Sequence, residues 1–270
     1  RDLHSFPTRR SSDLLVSSAV AKAAIKSGVA RKEIKDWDEY KRSLSVLLGQ
    51  ETKLTQKLYA TAAAHPQRVV FAEAVHPTML KAAVQAKAEG ICYPILLGND
   101  EVITKLAASL DLNLDGIEIV NLRHPNEQER RERYARILTE KRQREGYTFQ
   151  EANDKMFERN YFGMMMVETG EADAFITGLY TKYSNTIKVV NEVIGIRPEY
   201  KHFGTMHIIN SPKGTYYIAD TMVNENPDRE TLLDISKLIS TAVRFFNEKP
   251  VIAMVSHSNF GSSTSDGALK

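Results

Sequence analysis

A short apolar run near the end of the chain breaks into hydroxyl side chains, an amide and a glycine. The run is Val251–Val255, and the following residues that could contact a ligand are Ser256, Ser258, Asn259, Gly261, Ser262 and Ser263. Such a run is typical of a strand buried on both faces, and open α/β sheets bind ligands at the carboxyl ends of their strands. Neutral donors and a glycine backbone that can approach an anion predict a site for a phosphate-bearing or acyl-bearing small molecule. The alternative interpretation is an ordinary turn after a core strand.

A second apolar run, Ala174–Ile176, ends with the same chemistry, because Thr177 and Gly178 follow it. We expect the two strand ends to face one crevice, and we assign Thr177 and Gly178 to the ligand site. Tyr180 and Lys182 lie just beyond and could contact the ligand, although ordinary exposed loop residues are the commoner explanation. No catalytic or metal-binding residue is assigned.

The elements that must position these residues alternate between strand and helix. Apolar runs predict strands over 69–72, 94–97 and 117–120, and helical spacing predicts helices over 79–88 and 100–110 between them. This βαβαβ order predicts an α/β fold with a mostly parallel open sheet and helices on both faces. Proline and glycine between runs at 205–210 and 216–220 add an antiparallel hairpin. Asn226 is predicted to cap the helix that follows, with Pro227 as its first residue.

Residues 127–144 form a strongly charged predicted helix with a thin apolar stripe. Pairs at four-residue spacing, such as Glu127 with Arg131 and Glu129 with Arg133, are expected to support it. A basic surface for an anionic partner is one interpretation, but the interleaved acidic residues favour a solvated helix face. The methionines of the next helical stretch, which ends at Gly170, are interpreted as core residues: Met156, Met164, Met165 and Met166.

Composition excludes several function classes. The chain has 270 residues, is 42% hydrophobic, and carries 36 basic and 34 acidic residues for a formal charge of +2. We therefore expect neither nucleic acid nor membrane as a partner. The single cysteine, Cys92, fits a reducing compartment, and without a signal peptide or an apolar membrane span this predicts a cytoplasmic protein.

Three regions are predicted along the chain. Residues 1–14 lack periodicity and resemble a translated sequencing adapter, so they are interpreted as a non-native leader outside the fold. Residues 15–66 are predicted to form a helical tail and linker, and residues 67–270 the α/β domain. The chain stops at Lys270 in what looks like the first turn of a helix, which predicts that the domain is incomplete there.

Several ordered motifs resemble the phosphotransacetylase family. The matching stretches are Arg68–Glu73, Pro94–Gly98, Gly170–Ala174, Ile218–Asn224 with Asn226-Pro227, and Ser256–Ser262. Residues Val20–Ala30, with Asp36 and Tyr40, resemble the end of the catalytic region of bacterial malic enzymes. Together these resemblances point to long malic enzymes that carry a phosphotransacetylase-like domain at their carboxyl end.

This resemblance implies a division of labour. In such proteins the amino-terminal region converts malate to pyruvate with NADP and a divalent metal, Mg or Mn, and we expect neither cofactor in the present residues. The domain is expected to form homo-oligomers and to bind acetyl-CoA or an acyl phosphate as a regulatory effector. A working phosphate acetyltransferase and a purely structural oligomerisation domain are the alternatives. Phe260 stands where the family usually has lysine, and the family's catalytic serine and arginine lie further on than Lys270, so the chain by itself is expected to be inactive.

Overall fold

The chain folds into two compact units. The computed structural model describes residues 9–30, 32–34, 36, 37, 40, 44, 53–211, 214–220, 223–255, 259 and 262–265. One unit spans Tyr59–His202, and the other combines the residues before Tyr59 with those after His202. Within the described ranges, no helix is long and apolar enough to cross a bilayer. The boundary predicted near residue 66 stays a prediction.

A parallel sheet organises the Tyr59–His202 unit. Its strands are β1 (Gln67–Phe71), β2 (Cys92–Leu97), β3 (Glu118–Val120) and β4 (Ala174–Ile176), in the spatial order β3-β2-β1-β4. All neighbouring strands run parallel. The predicted βαβαβ order is therefore confirmed, and β4 joins the sheet on the far side of β1.

Helices cover both faces of this sheet, as predicted. Two helices precede β1 in the chain, α1 (Arg9–Lys26) and α2 (Lys53–Ala64). The helices between the first three strands are α3 (Pro77–Ala88) and α4 (Asp100–Ser109). The second half contributes α5 (Gln128–Arg142), α6 (Phe149–Lys155), α7 (Arg159–Glu168) and α8 (Tyr183–Val193). Alternate strand residues enter opposite cores, because Phe71 packs with α3 and α4 whereas Val70 packs with α5 to α8. The four predicted core methionines are all buried in the second of these cores.

Local side-chain caps explain where several helices begin. The Asn99 side chain accepts a hydrogen bond from the Val102 amide at the start of α4. Thr148 and Glu151 form a reciprocal capping box on α6. Each cap satisfies amides that have no partner inside the helix. These polar residues therefore fix the helix starts that hydrophobic spacing alone leaves open.

Helix α7 lies unusually close to the sheet at Gly163. A β-carbon at this position would stand 2.3 Å from Phe175 Cε2 and 3.0 Å from Leu97 Cδ1. Only the absence of a side chain allows this approach. Gly163 thus sets the distance between α7 and strand β4.

The other unit contains a hairpin and a long amphipathic helix. Strands β5 (Met206–Ser211) and β6 (Gly214–Ala219) pair antiparallel as a separate two-stranded sheet, and Ile235, Ile239 and Val243 of α9 (Arg229–Phe245) pack against them. The hairpin is confirmed, but its connection is shorter than predicted because Ser211 pairs with Gly214. Asp228, not Asn226, caps α9, and its side chain accepts from the Thr231 amide.

The predicted buried strand at Val251–Val255 is wrong. These residues form no strand, and Val251 and Val255 are 89% and 91% exposed. A strand gains its stability from a neighbouring ladder, and no strand among the described residues pairs with this segment. Helix α1 begins at Arg9, and the interpretation of residues 1–14 as a non-native leader stays a prediction.

Helix α5 uses its charges differently from the predicted four-residue pairs. Arg131 is buried and donates to the backbone oxygens of Leu122 and His124, while Arg133 pairs with Glu171. The loop before α5 offers carbonyl oxygens that need partners, and a buried guanidinium can satisfy two of them at once. Helix α5, predicted to have a solvated face, is therefore held to the rest of the unit by polar contacts as well as by its thin apolar stripe.

We predict that Gly163→Ala destabilises the protein by about 1–3 kcal/mol, because the added methyl group overpacks the contact with Phe175. Helix propensity alone predicts the opposite sign, a gain of up to about 1 kcal/mol. Urea unfolding measures the difference. A stabilised variant would show that α7 can move away from the sheet without loss.

Candidate ligand site at the carboxyl edge of the sheet

The chain reverses its direction of travel across the sheet between β1 and β4. Strands β1 to β3 extend the sheet one way, and β4 then adds to the opposite side of β1. Open α/β sheets bind ligands at such a switch point, outside the carboxyl ends of the two strands. The residues after Phe71 and after Ile176 therefore form the candidate site.

The buried carboxylate of Glu73 closes the bottom of this crevice. Its side chain is 1% exposed, and it accepts hydrogen bonds from three consecutive backbone amides after β4. Gly178 and Leu179 donate to Oε2 at 3.0 Å each, and Tyr180 donates to Oε1 at 2.9 Å. Gly178 has φ +133°, a conformation that glycine adopts without strain and that turns the chain toward the carboxylate. An internal anion thus occupies the amides that could otherwise hold a ligand anion.

The Thr177 hydroxyl is also held by a neighbour. Thr177 Oγ1 donates to Asn160 Oδ1 at 3.0 Å, and Asn160 is buried at the start of α7. Tyr180 lies above these groups and is 57% exposed, with its ring 5.5 Å from the His76 ring and 5.8 Å from the Arg159 guanidinium. The accessible part of the site therefore combines hydroxyl, imidazole and guanidinium groups around one aromatic ring.

An apolar cavity of about 400 Å³ opens beside Thr177. Met164 of α7, Phe175 of β4 and Val190 of α8 form its walls. Cavities of this size and lining are typical of sites that enclose the apolar part of a small molecule. The polar edge and the apolar cavity are contiguous, because Thr177 belongs to both.

Helix α8 is fixed in place by a polar cluster around Glu192. Tyr147 and Tyr161 both donate their hydroxyls to Glu192 Oε2, and Lys155 Nζ lies 3.5 Å from the same oxygen. Burial raises the pKa of Glu192, but the two phenols, Lys155 and Lys188 outweigh it, so the pKa lies below its ordinary value of 4.5. Burial, followed by the Glu192 carboxylate, raises the pKa of both tyrosines. The lowered pKa keeps Glu192 charged at neutral pH, and the cluster anchors α8, the helix that contributes Thr186 and Val190 to the cavity.

The structure places only part of the site predicted from sequence. Thr177 and Gly178 lie at the switch point, whereas Ser256, Ser258 and Gly261 lie outside the described residues. Asn259, Ser262 and Ser263 are described, and Ser262 donates to the Asn259 carbonyl. The predicted approach of the two strand ends stays a prediction.

Sequence reasoning missed two features of the site, the buried Glu73 carboxylate and the apolar cavity. Glu73 could have been found as an acidic residue directly after a buried strand, where an unpaired charge would be unfavourable. The cavity has no comparable signal, since its lining residues come from three separate elements. Among the described residues, no three His, Cys, Asp or Glu side chains converge as a metal site, and the cofactors expected elsewhere in a longer protein stay a prediction.

Comparison with known proteins identifies related chains. A family model described as Phosphate acetyl/butaryl transferase matches residues 53–270. The NADP-dependent malic enzyme of Salmonella typhimurium is 35% identical over 260 residues, which cover 94% of this chain and 34% of that protein. The phosphate acetyltransferase of Acetivibrio thermocellus is 29% identical over 218 residues, covering 78% of this chain and 64% of that protein. The chain therefore spans about a third of the length of the malic enzyme it matches.

A solved structure shows the same fold. The EutD phosphotransacetylase from Staphylococcus aureus superimposes with a TM-score of 0.67 and 26% sequence identity. The match covers 79% of this chain and 63% of that one. The resemblance stated from the sequence motifs is thus confirmed by sequence and by structure.

We predict that Glu73→Gln lowers the free energy of unfolding by about 2 kcal/mol. The side-chain NH2 group of glutamine would face backbone N–H groups, and two donors cannot form a hydrogen bond with each other. Hydrogen exchange at Gly178, Leu179 and Tyr180 should accelerate together. The exposed Glu129→Gln is the matched control and should leave both quantities unchanged. Unaltered protection of the three amides in Glu73→Gln would contradict the role given to this carboxylate.

Acidification should destabilise the protein through Glu192. Because the folded-state pKa of Glu192 is lowered, its contribution is present above the unfolded-state pKa and is lost as the pH falls through the folded value. We expect Glu192→Gln to be less stable at pH 7 by about 2 kcal/mol. We also expect it to lose less stability than the parent chain between about pH 5 and pH 3. Parallel curves for Glu192→Gln and the parent chain would refute this, and Glu199→Gln serves as the exposed control.

Proposed function

The chain belongs to the phosphate acetyl/butaryl transferase family, and we propose that it binds acetyl-CoA or an acyl phosphate as an effector without converting it. The observation that supports holding without conversion is that Thr177 and the amides after β4 are engaged within the protein. Attack of phosphate on a thioester needs donors for the oxyanion that forms. Here the Thr177 hydroxyl donates to Asn160, and the three amides donate to Glu73.

The electrostatics of the site favour the same conclusion. The Glu73 carboxylate is buried at the bottom of the crevice, where it accepts hydrogen bonds from three backbone amides. Arg159 stands at the accessible edge and suits the phosphate groups of such a ligand. The acyl group then lies toward Thr177 and the apolar cavity.

The whole protein to which this chain corresponds is, in this proposal, a malic enzyme. The match to the malic enzyme covers 94% of this chain and 34% of that protein, which supports that assignment. The longer protein oxidises malate to pyruvate with NADP and Mg or Mn, and the present domain forms homo-oligomers and senses the acyl ligand. Acetyl-CoA bound here would report the supply of two-carbon units to that reaction.

Phosphate acetyltransferase activity is the second candidate. It is favoured by the similarity to the phosphate acetyltransferase of Acetivibrio thermocellus and by the structural match to the EutD phosphotransacetylase. The two candidates differ in chemistry, because only a transferase would release CoA and form acetyl phosphate from acetyl-CoA and phosphate.

Titration calorimetry of the full chain with acetyl-CoA tests the proposal, and we expect saturable binding. Thr177→Val should weaken that binding by up to about tenfold, because it removes the hydroxyl that orders the loop. Thr139→Val removes a hydroxyl that bonds the Ala135 carbonyl on α5, and it should leave binding unchanged. If the parent chain did not bind acetyl-CoA, the proposal would fail, and a purely structural oligomerisation domain would be the remaining interpretation.

Release of free CoA thiol in the presence of phosphate distinguishes the two candidates. We expect no turnover by the full chain. Turnover that Thr177→Val reduces and Thr139→Val leaves intact would establish the transferase instead.

A further inference from the structure

The cavity beside Thr177 contains a hydroxyl group that has no hydrogen-bond partner among the residues that the structure describes. Thr186 lines the cavity from α8, and its Oγ1 is buried. Among the described residues, none forms a hydrogen bond with this oxygen. A buried hydroxyl without a partner is unfavourable by about 1–3 kcal/mol, so an acceptor that enters the cavity recovers that energy.

The lining has a polar end and an apolar end. Thr186, Val190 and Ile194 follow one another at four-residue spacing and therefore lie along one side of α8. The distance from Thr186 to Ile194 along the helix is about 12 Å at the standard rise per residue. Thr177 contributes the other hydroxyl, from the carboxyl end of β4.

The remaining walls are apolar and adaptable. Met164 and Val167 come from α7, and Phe175 comes from β4. Methionine fills irregular space without a fixed shape, which suits a flexible chain of variable length. A charged phosphate could not enter such surroundings without losing its hydration, whereas an aliphatic chain is favoured there.

We propose that this cavity binds the acyl chain of an acyl-CoA, with the Thr186 hydroxyl donating to the acyl carbonyl oxygen. The chain extends from Thr186 past Val190 toward Ile194, and the phosphate-bearing remainder of the ligand stays at the edge near Arg159. This inference rests on the proposed function and deepens it, because the site would then distinguish its ligands by the length of the acyl chain. Thr186 is then a specificity-determining residue that the sequence motifs do not include.

The energetics predict the size of the discrimination. Each methylene group transferred from water into an apolar cavity tightens binding about fourfold. Butyryl-CoA should therefore bind about fifteenfold more tightly than acetyl-CoA, and hexanoyl-CoA more tightly again. A site that enclosed only the acetyl group would show no such progression.

Calorimetry with CoA, acetyl-CoA, butyryl-CoA and hexanoyl-CoA on the full chain tests this order. Ile194→Trp places a large ring at the open end of the cavity and should abolish the gain with chain length, so that acetyl-CoA, butyryl-CoA and hexanoyl-CoA bind it with similar affinity. Ile194 is 41% exposed, so the substitution can be made without burying the ring in the core. Val102→Trp, at a position 48% exposed on α4 over the opposite face of the sheet, is the matched control and should retain the full progression.

Thr186→Val provides the second, independent test. It preserves the shape of the side chain and removes the donor, so all the acyl-CoA ligands should weaken by a similar factor of about three to ten, while CoA itself does not. Equal affinity for all chain lengths, with acetyl-CoA still bound, would overturn this inference and leave the proposed function standing. An absence of binding for every acyl-CoA would overturn the proposed function, and this inference with it.

Discussion

A buried negative charge ties together the two strand ends at which the chain reverses its course across the sheet. Glu73 is buried just after the end of β1, and hydrogen bonds from the three amides that follow β4 replace its hydration. Removing a carboxylate from water is unfavourable unless every lone pair finds a donor. The backbone between Gly178 and Tyr180 must therefore keep one conformation as long as these three hydrogen bonds persist. The positions of Thr177, Tyr180 and the mouth of the cavity all depend on that conformation.

The second constraint acts from the other side of the cavity. Helix α8 contributes Val189 and Val193 to the core, but its orientation is set by Glu192, which two phenols and Lys155 hold. Hydrogen bonds to a charged group are shorter and more directional than apolar contacts, so they fix the rotation of the helix about its axis. That rotation directs the stripe of Thr186, Val190 and Ile194 toward β4. The cavity lies between this stripe, α7 and β4.

The sequence predicts the elements of this fold better than it predicts their polar contacts. The βαβαβ order, the methionine core and the hairpin follow from periodicity, which is a local property. Partner choice is not local, and this explains the errors. Arg131 and Arg133 bond to groups outside their own helix, and the apolar run Val251–Val255 is exposed because apolar character does not create a neighbouring strand. Thr177 and Gly178 were assigned because strand ends have a recognisable chemistry, and their role as ligand residues stays a prediction. The contacts of Glu73, in contrast, are made with residues more than 100 positions away in the chain.

The arrangement of polar groups determines what chemistry the described site supports. Transfer of an acyl group requires a nucleophile whose proton has somewhere to go and donors positioned for the charge that develops. Here Thr177 faces an amide oxygen, and the nearest set of consecutive backbone amides is already bound to Glu73. These donors are thus engaged within the protein. The groups that remain are an exposed aromatic ring, the His76 imidazole, a guanidinium and an apolar cavity with one buried hydroxyl. Such groups suit the recognition of shape and charge, and donors already bound within the protein favour holding a ligand over converting it, as the proposed effector role requires.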